Sequence, residues 1–392
     1  MLRYMNLIIV LAFMLSGDTL FNVAIIWQVV ALGGSVKMLG LFLCLVTILT
    51  YVLQKISIQT KKILTANPKK LFMLIRLLGS LFSFIFFFLD KKNSIYFLYL
   101  IGIIFTFINY FSMVTVEAII GQEVMQGRLS SNYASRMLQT AIQIAAFLGA
   151  SIAGFVLNWK QMQGVLLMNM ITYLCGILLF MLLTDTINDP IKNHSQPFNH
   201  LPLRSHQPKT ILWITFFGLA ILTVQISAFN FFVPLIAQKQ RFWTTSQFGI
   251  IDAMAGLGAF FSTLVMIDKW RINQMWTLTF IILFICDALF YLIENAYFIS
   301  LSTFFLGFFV NAFRIKQREM MYHVVSHADE IMEWTGLVTA MTMFIKALSP
   351  LLLSFFPFSP AYYFMLCGLV IALSLLCVEL IYYFICFKPH ND

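Results

Sequence analysis

The chain has 392 residues, 60% of them hydrophobic and 10% charged, whereas soluble domains carry about 25% charged residues. That composition excludes a soluble globular domain and marks a polytopic membrane protein. The net charge of +9 calls for no nucleic-acid partner, because loops facing an anionic lipid leaflet account for it.

A bilayer crossing takes roughly 20 predominantly apolar residues. Twelve such runs follow one another: 5–32, 37–59, 71–89, 95–122, 134–158, 162–184, 211–237, 246–267, 273–293, 297–318, 334–355 and 360–387. The first is too long for a signal peptide and has no A-x-A cleavage site, so it reads as a retained helix. Between the runs stand turn signals such as Gly33-Gly34, Asn67-Pro68-Lys69-Lys70, Trp159-Lys160-Gln161, Glu294-Asn295, Pro357 and Pro360. The longest polar interval runs from Asp185 to Thr210 and is rich in Pro and His. It predicts six helices in 1–184, a cytoplasmic linker at 185–210, and six more in 211–392.

With the N-terminus inside, 18 of the 25 Lys and Arg fall in inner segments and their flanks, 6 fall outside, and Lys346 is left over within the eleventh run. The bias obeys the positive-inside rule. It predicts a multi-pass protein of the cell membrane with both termini cytoplasmic. Arg76 is counted here with the inner loop between the second and third runs.

Charges inside the runs are candidate functional groups, because each costs about 2.5–3.5 kcal/mol at mid-bilayer. Asp18 lies 13 residues beyond Met5, about 20 Å into the first run. Asn22, four residues on, shares its face, and Trp27 follows; that face is expected to line a substrate cavity, with Asp18 holding a proton and releasing it as the cavity opens. The packing alternative leaves Asp18 protonated or in a helix–helix hydrogen bond. Lys346, far from either surface, needs a counter-charge, for which Asp18 and Asp287 are the candidates. Glu117, near the inner end of the fourth run, is either a solvated helix-end charge or a cytoplasmic-gate partner of Arg128 or Arg136. Asp252 and Glu379 read as side chains reaching back to the outer and inner interfaces.

The six cysteines fall in apolar segments without CxxC spacing, so they read as packing residues. His194, His200 and His206 recur every six residues in the linker, which is wrong for ligands on one helical turn. Neither a metal site nor a cofactor is expected. No P-loop, Ser-His-Asp arrangement or HExxH occurs, so an ATP-driven pump or an intramembrane hydrolase has no support and no enzyme is expected.

The halves echo each other weakly, most clearly at Glu117 (E-A-I-I-G-Q-E-V-M) and Glu319 (E-M-M-Y-H-V-V-S-H). Both lie where the fourth helix of a half meets its inner loop, as in a parallel repeat around a midplane cavity. The segment S-G-D-T-L-F-N-V-A-I-I-W, Ser16 to Trp27, resembles the first helix of the macrolide-efflux and enterobactin-exporter branch of the major facilitator superfamily. Gly40, Asn67-Pro68-Lys69-Lys70, the Leu129 to Ala153 region, Gly256-Leu257-Gly258 and Gly307 extend the resemblance in order. It implies an all-α membrane fold of two six-helix bundles. Its activity would be proton-driven export of an amphipathic small molecule, a drug or siderophore, by a monomer whose other partners are protons and membrane lipid.

Two departures stand out. The segment Lys55 to Lys70 has no Gly and no acidic residue ahead of its basic cluster, and Gly149-Ala150-Ser151-Ile152-Ala153-Gly154 lacks the Pro and one Gly of the exporter motif. An uptake permease or facilitator of the same fold, or a membrane interaction or immunity protein that no longer transports, is the alternative.

Overall fold

Hydrocarbon offers the backbone no hydrogen-bonding partner, so a spanning segment satisfies its own amides by coiling into a helix. The computed structural model describes residues 2–59, 67–89, 94–125, 129, 131–187, 210–265, 272–324, 328–356 and 359–387, and these are helical almost throughout. The first four helices are α1 (Leu2–Ala31), α2 (Val36–Gln59), α3 (Pro68–Phe88) and α4 (Ile95–Met125). The next stretch, Ser131–Ile187, keeps its helical hydrogen bonding across 57 residues but breaks at Lys160 (φ −134°, ψ 16°) and Gln161 (φ 50°, ψ −147°). It is two crossings, α5 (131–159) and α6 (162–187), joined at the Trp159-Lys160-Gln161 signal. Then come α7 (Thr210–Leu235), α8 (Thr245–Leu264), α9 (Ile272–Leu292), α10 (Ala296–Val324), α11 (Ala328–Leu353) and α12 (Pro360–Phe387).

Nine stretches among the described residues are long and apolar enough to cross a membrane, one of them the 46-residue Met137–Leu182 that holds two crossings. Trp276–Leu292 and Ala340–Leu353 are shorter apolar helices. Pro234 lies inside α7, whose ladder then widens into a π turn at Ile236–Gln240. A reciprocal capping box between Thr244 and Gln247 starts α8.

Helix α1 runs through the middle of the first six helices, packed mainly on α5 and α6, while α3 packs on α4 and α6. In the second six, α8 packs on α10, and α12 on α7 and α9. Two seams join these groups, α5 with α8 and α2 with α11. Glycines make the seams close: a Cβ on Gly249 would stand 2.7 Å from the Cα of Gly154, one on Gly256 2.9 Å from the amide nitrogen of Phe147, and one on Gly40 2.7 Å from the carbonyl of Pro350.

The α1–α2, α5–α6, α7–α8 and α11–α12 turns lie at one end, called here the turn end, where further contacts cross between the groups. Lys239 donates to the Gly34 carbonyl at 2.8 Å. The rings of Trp27 and Phe248 lie 5.0 Å apart, and the Lys37 ammonium sits 5.8 Å from the Phe355 ring. Within the second group, Arg241 ties the α7–α8 turn to Glu294 at 2.5 Å.

Candidate functional site

Asp18 and Asn22 part company. Asn22 is exposed although Leu20, Phe21, Val23 and Ala24 around it are buried. Asp18 is buried, 7% exposed. It accepts two hydrogen bonds from Arg76 of α3, Nη1 to Oδ1 at 2.6 Å and Nη2 to Oδ2 at 2.8 Å, and a third from the Tyr173 hydroxyl of α6 at 2.6 Å. Arg76 is itself fully buried, sandwiched between the rings of Phe72 and Tyr173 at 5.3 and 4.8 Å. The expectation that Asp18 lines a cavity beside Asn22 is therefore corrected, because a guanidinium covers it. Arg76 belongs to that buried pair rather than to the inner loop.

Fork-on-fork pairing of this kind supplies charge balance and fixed geometry together. Sequence reading missed Arg76 and Tyr173. One signal was available: Arg76 falls within the third apolar run and has the sign opposite to Asp18 in the same half.

Asp287 is also corrected. It is fully buried in α9 rather than facing a substrate cavity, and its partner is Gln225 of α7, whose Nε2 reaches both carboxylate oxygens at 2.9 and 2.7 Å. No cation among the described residues pairs with it. Gln225 is fully buried too, and its Oε1 has no hydrogen-bond partner. The carboxylate occupies the space where a Cβ on Gly368 of α12 would go; only glycine at this position lets the acid sit there. Next to it, the Cys286 thiol donates to the Ser302 carbonyl at 3.1 Å.

With both acids engaged, neither candidate counter-charge reaches Lys346. Its ammonium has no ion pair or hydrogen bond among the described residues, and it is exposed. Trp27 is buried against Phe248 in the contact between the halves, so it closes the turn end and does not stand free in a cavity.

Glu117 is exposed on α4. Arg128 and most of the linker, His194, His200 and His206 included, lie outside the described residues, and so does the side chain of Arg136. Glu379 accepts a hydrogen bond from Thr277 of α9 at 2.6 Å, so it is tied between helices. Deeper in the seam Gln139 of α5 reaches Asn311 of α10 at 3.5 Å.

No curated protein sequence matches the chain. Several solved structures share its architecture. A bacterial homologue of the iron transporter ferroportin in an inward-facing state aligns at 12% identity and a TM-score of 0.71, covering 98% of each chain. A bacterial homologue of the human lysosomal transporter Spinster aligns at 12% identity and 0.66, covering 98% of this chain and 96% of that one. The nucleoside transporter NupG aligns at 12% and 0.66, covering 98% and 99%. Identities this low establish the fold alone. Sequence supplies the family: the Major Facilitator Superfamily model matches residues 7–315, most of the chain, and this multi-pass membrane protein belongs to the Major Facilitator Superfamily.

Proposed function

We propose that the chain is a proton-coupled secondary exporter of an amphipathic small molecule in the cell membrane, rocking residues 1–184 against 211–387. The observation that carries this reading is the placement of exposure and closure. Glycine-lined seams, the Lys239–Gly34 bond and the Trp27–Phe248 contact close the turn end. Below that closure Asn22 of the central helix α1 is exposed, and Ile26 on the same face is half-buried. Since the basic-residue bias puts the turn end outside, the opening faces the cytoplasm, a state that an alternating-access carrier visits whichever way it transports and from which an exporter loads.

Coupling requires a buried group that gains and loses a proton at tolerable cost. Asp18, the residue first expected to do this, is a poor choice, because protonating it strands the Arg76 guanidinium in the core. Asp287 is a better one. Its ionised form accepts from the Gln225 amide nitrogen, and its protonated form has an acceptor in the otherwise unpartnered Gln225 Oε1 once the amide turns over. A neutral amide thus offers a hydrogen bond to either protonation state, and protonating the acid strands no opposite charge. The coupling role expected of Asp18 passes, in this proposal, to Asp287.

The test is transport into inverted membrane vesicles, with labelled drug-type and siderophore-type compounds and an imposed proton gradient. Uphill accumulation that collapses with a protonophore is the expected result. Downhill-only flux would replace the proposal with a facilitator, and no flux from a folded, abundant protein would replace it with an interaction role.

A further inference from the structure

Lys346 poses a physical problem that the described residues do not solve. An ammonium deep in a bilayer needs water or an opposite charge. The large apolar residues of α11 that are exposed among those described are Leu337, Phe344, Leu348 and Leu352, which at 100° per residue form one lipid-type stripe. Lys346 stands roughly 160° round the helix from that stripe. Its neighbours at i+3, i+4 and i+7, Ser349, Pro350 and Leu353, are buried, and Pro350 lies in the seam with Gly40 of α2. A residue that is exposed on the buried side of its helix faces an internal opening, so Lys346 looks into the cleft between the halves.

Its depth matches that of Asn22. Lys346 is 7 residues before the end of α11 and Asn22 is 9 before the end of α1, about 10 and 13 Å below the turn end respectively. Ile26, one turn from Asn22, is half-buried and adds an apolar surface beside it. The two membrane-embedded acids once available as partners are committed to Arg76 and Gln225. The charge that acts on Lys346 from α10 is Arg314, of the same sign.

We propose that the cleft's occupant brings the missing counter-charge: the molecule this protein carries is an amphipathic anion, with a carboxylate or similar oxyanion head held at Lys346 and its uncharged part toward Asn22 and Ile26. The inference deepens the transport reading by naming the class of molecule carried, but binding itself does not depend on transport. An inside-negative membrane potential favours expelling such an anion, which agrees with export.

Equilibrium binding to the full-length protein in nanodiscs tests this without any flux. The probes are a dansyl-labelled fatty carboxylate, its neutral amide and its trimethylammonium counterpart. The carboxylate is expected to bind about tenfold more tightly than the amide, the strength of one charge-assisted contact, and the trimethylammonium probe most weakly. Lys346→Met, which keeps the stem, should erase the difference between carboxylate and amide, and Lys346→Arg should keep it. Equal binding of the three probes by the unmodified protein, preference for the cationic probe, or a carboxylate preference that survives in Lys346→Met overturns the proposal. Should Lys346→Met fail to fold, the ranking of the three probes on the unmodified protein still decides it. A protein that ranks the probes as expected yet moves none of them retains this site and loses the transport reading.

Discussion

Each half of the molecule buries one carboxylate among its first, third and sixth helices, but the two are provided for differently. In the first half Asp18 on α1 meets Arg76 on α3 and Tyr173 on α6, with three short hydrogen bonds and balanced charge. In the second, Asp287 on α9 meets Gln225 on α7 and the bare backbone of Gly368 on α12. The two groups also differ in level: Arg76 is 8 residues past the start of α3 and Asp287 15 past the start of α9, about 10 Å nearer the turn end. An ion pair resists any change in the charge of either member, whereas an acid beside an amide tolerates it. The first arrangement suits a fixed joint and the second a moving charge.

Removing half of the ion pair should give the largest effect. Arg76→Ala leaves Asp18 charged and unpaired in the core, a loss of about 3–5 kcal/mol, read as a fall in folded yield and in melting temperature in detergent. Asp18→Asn, which a carboxyl lining an open cavity would tolerate, should be nearly as damaging because it strands Arg76. The double variant Asp18→Leu/Arg76→Met should recover much of the stability, and a double variant as unstable as Arg76→Ala would show that charge balance is not what the pair provides. Next in size is Gln225→Leu. It takes away the only donor to Asp287 among the described residues and should cost about 1–3 kcal/mol, measured by the same melts. Asp287→Asn is expected to be mildest, below about 1 kcal/mol, since the amide can still bond to Gln225. A large destabilisation by Asp287→Asn would mean that the two nodes are alike after all.

Much of the fold was legible because lipid enforces one rule: a spanning run must be long and apolar. The twelve runs therefore fall on α1 to α12, including the α5–α6 turn at Lys160-Gln161, where the helical hydrogen bonding gives no break. The sites were less legible, since hydropathy says which residue is expensive and not which one compensates it. Asp18 and Lys346 stand out as costly, but Arg76, seven residues after Lys69, reads as the flank of a basic loop. Gln225 is neutral and carries no signal of its own in an apolar helix. The spacing of Trp27 from Asn22 reads as within reach of a substrate, yet somewhat under half a turn separates a cleft-facing side chain from one packed into the seam. The expected gate of Glu117 with Arg128 and Arg136 depends on residues outside those described.

The central claim is that the second half moves the proton while the first half stays fixed. Proton-gradient-driven accumulation in inverted vesicles, measured for Asp287→Asn beside the unmodified protein at equal folded amounts, tests it most directly. The account predicts that Asp287→Asn still exchanges substrate down its gradient but no longer accumulates it uphill. Undiminished uphill accumulation by Asp287→Asn would contradict it.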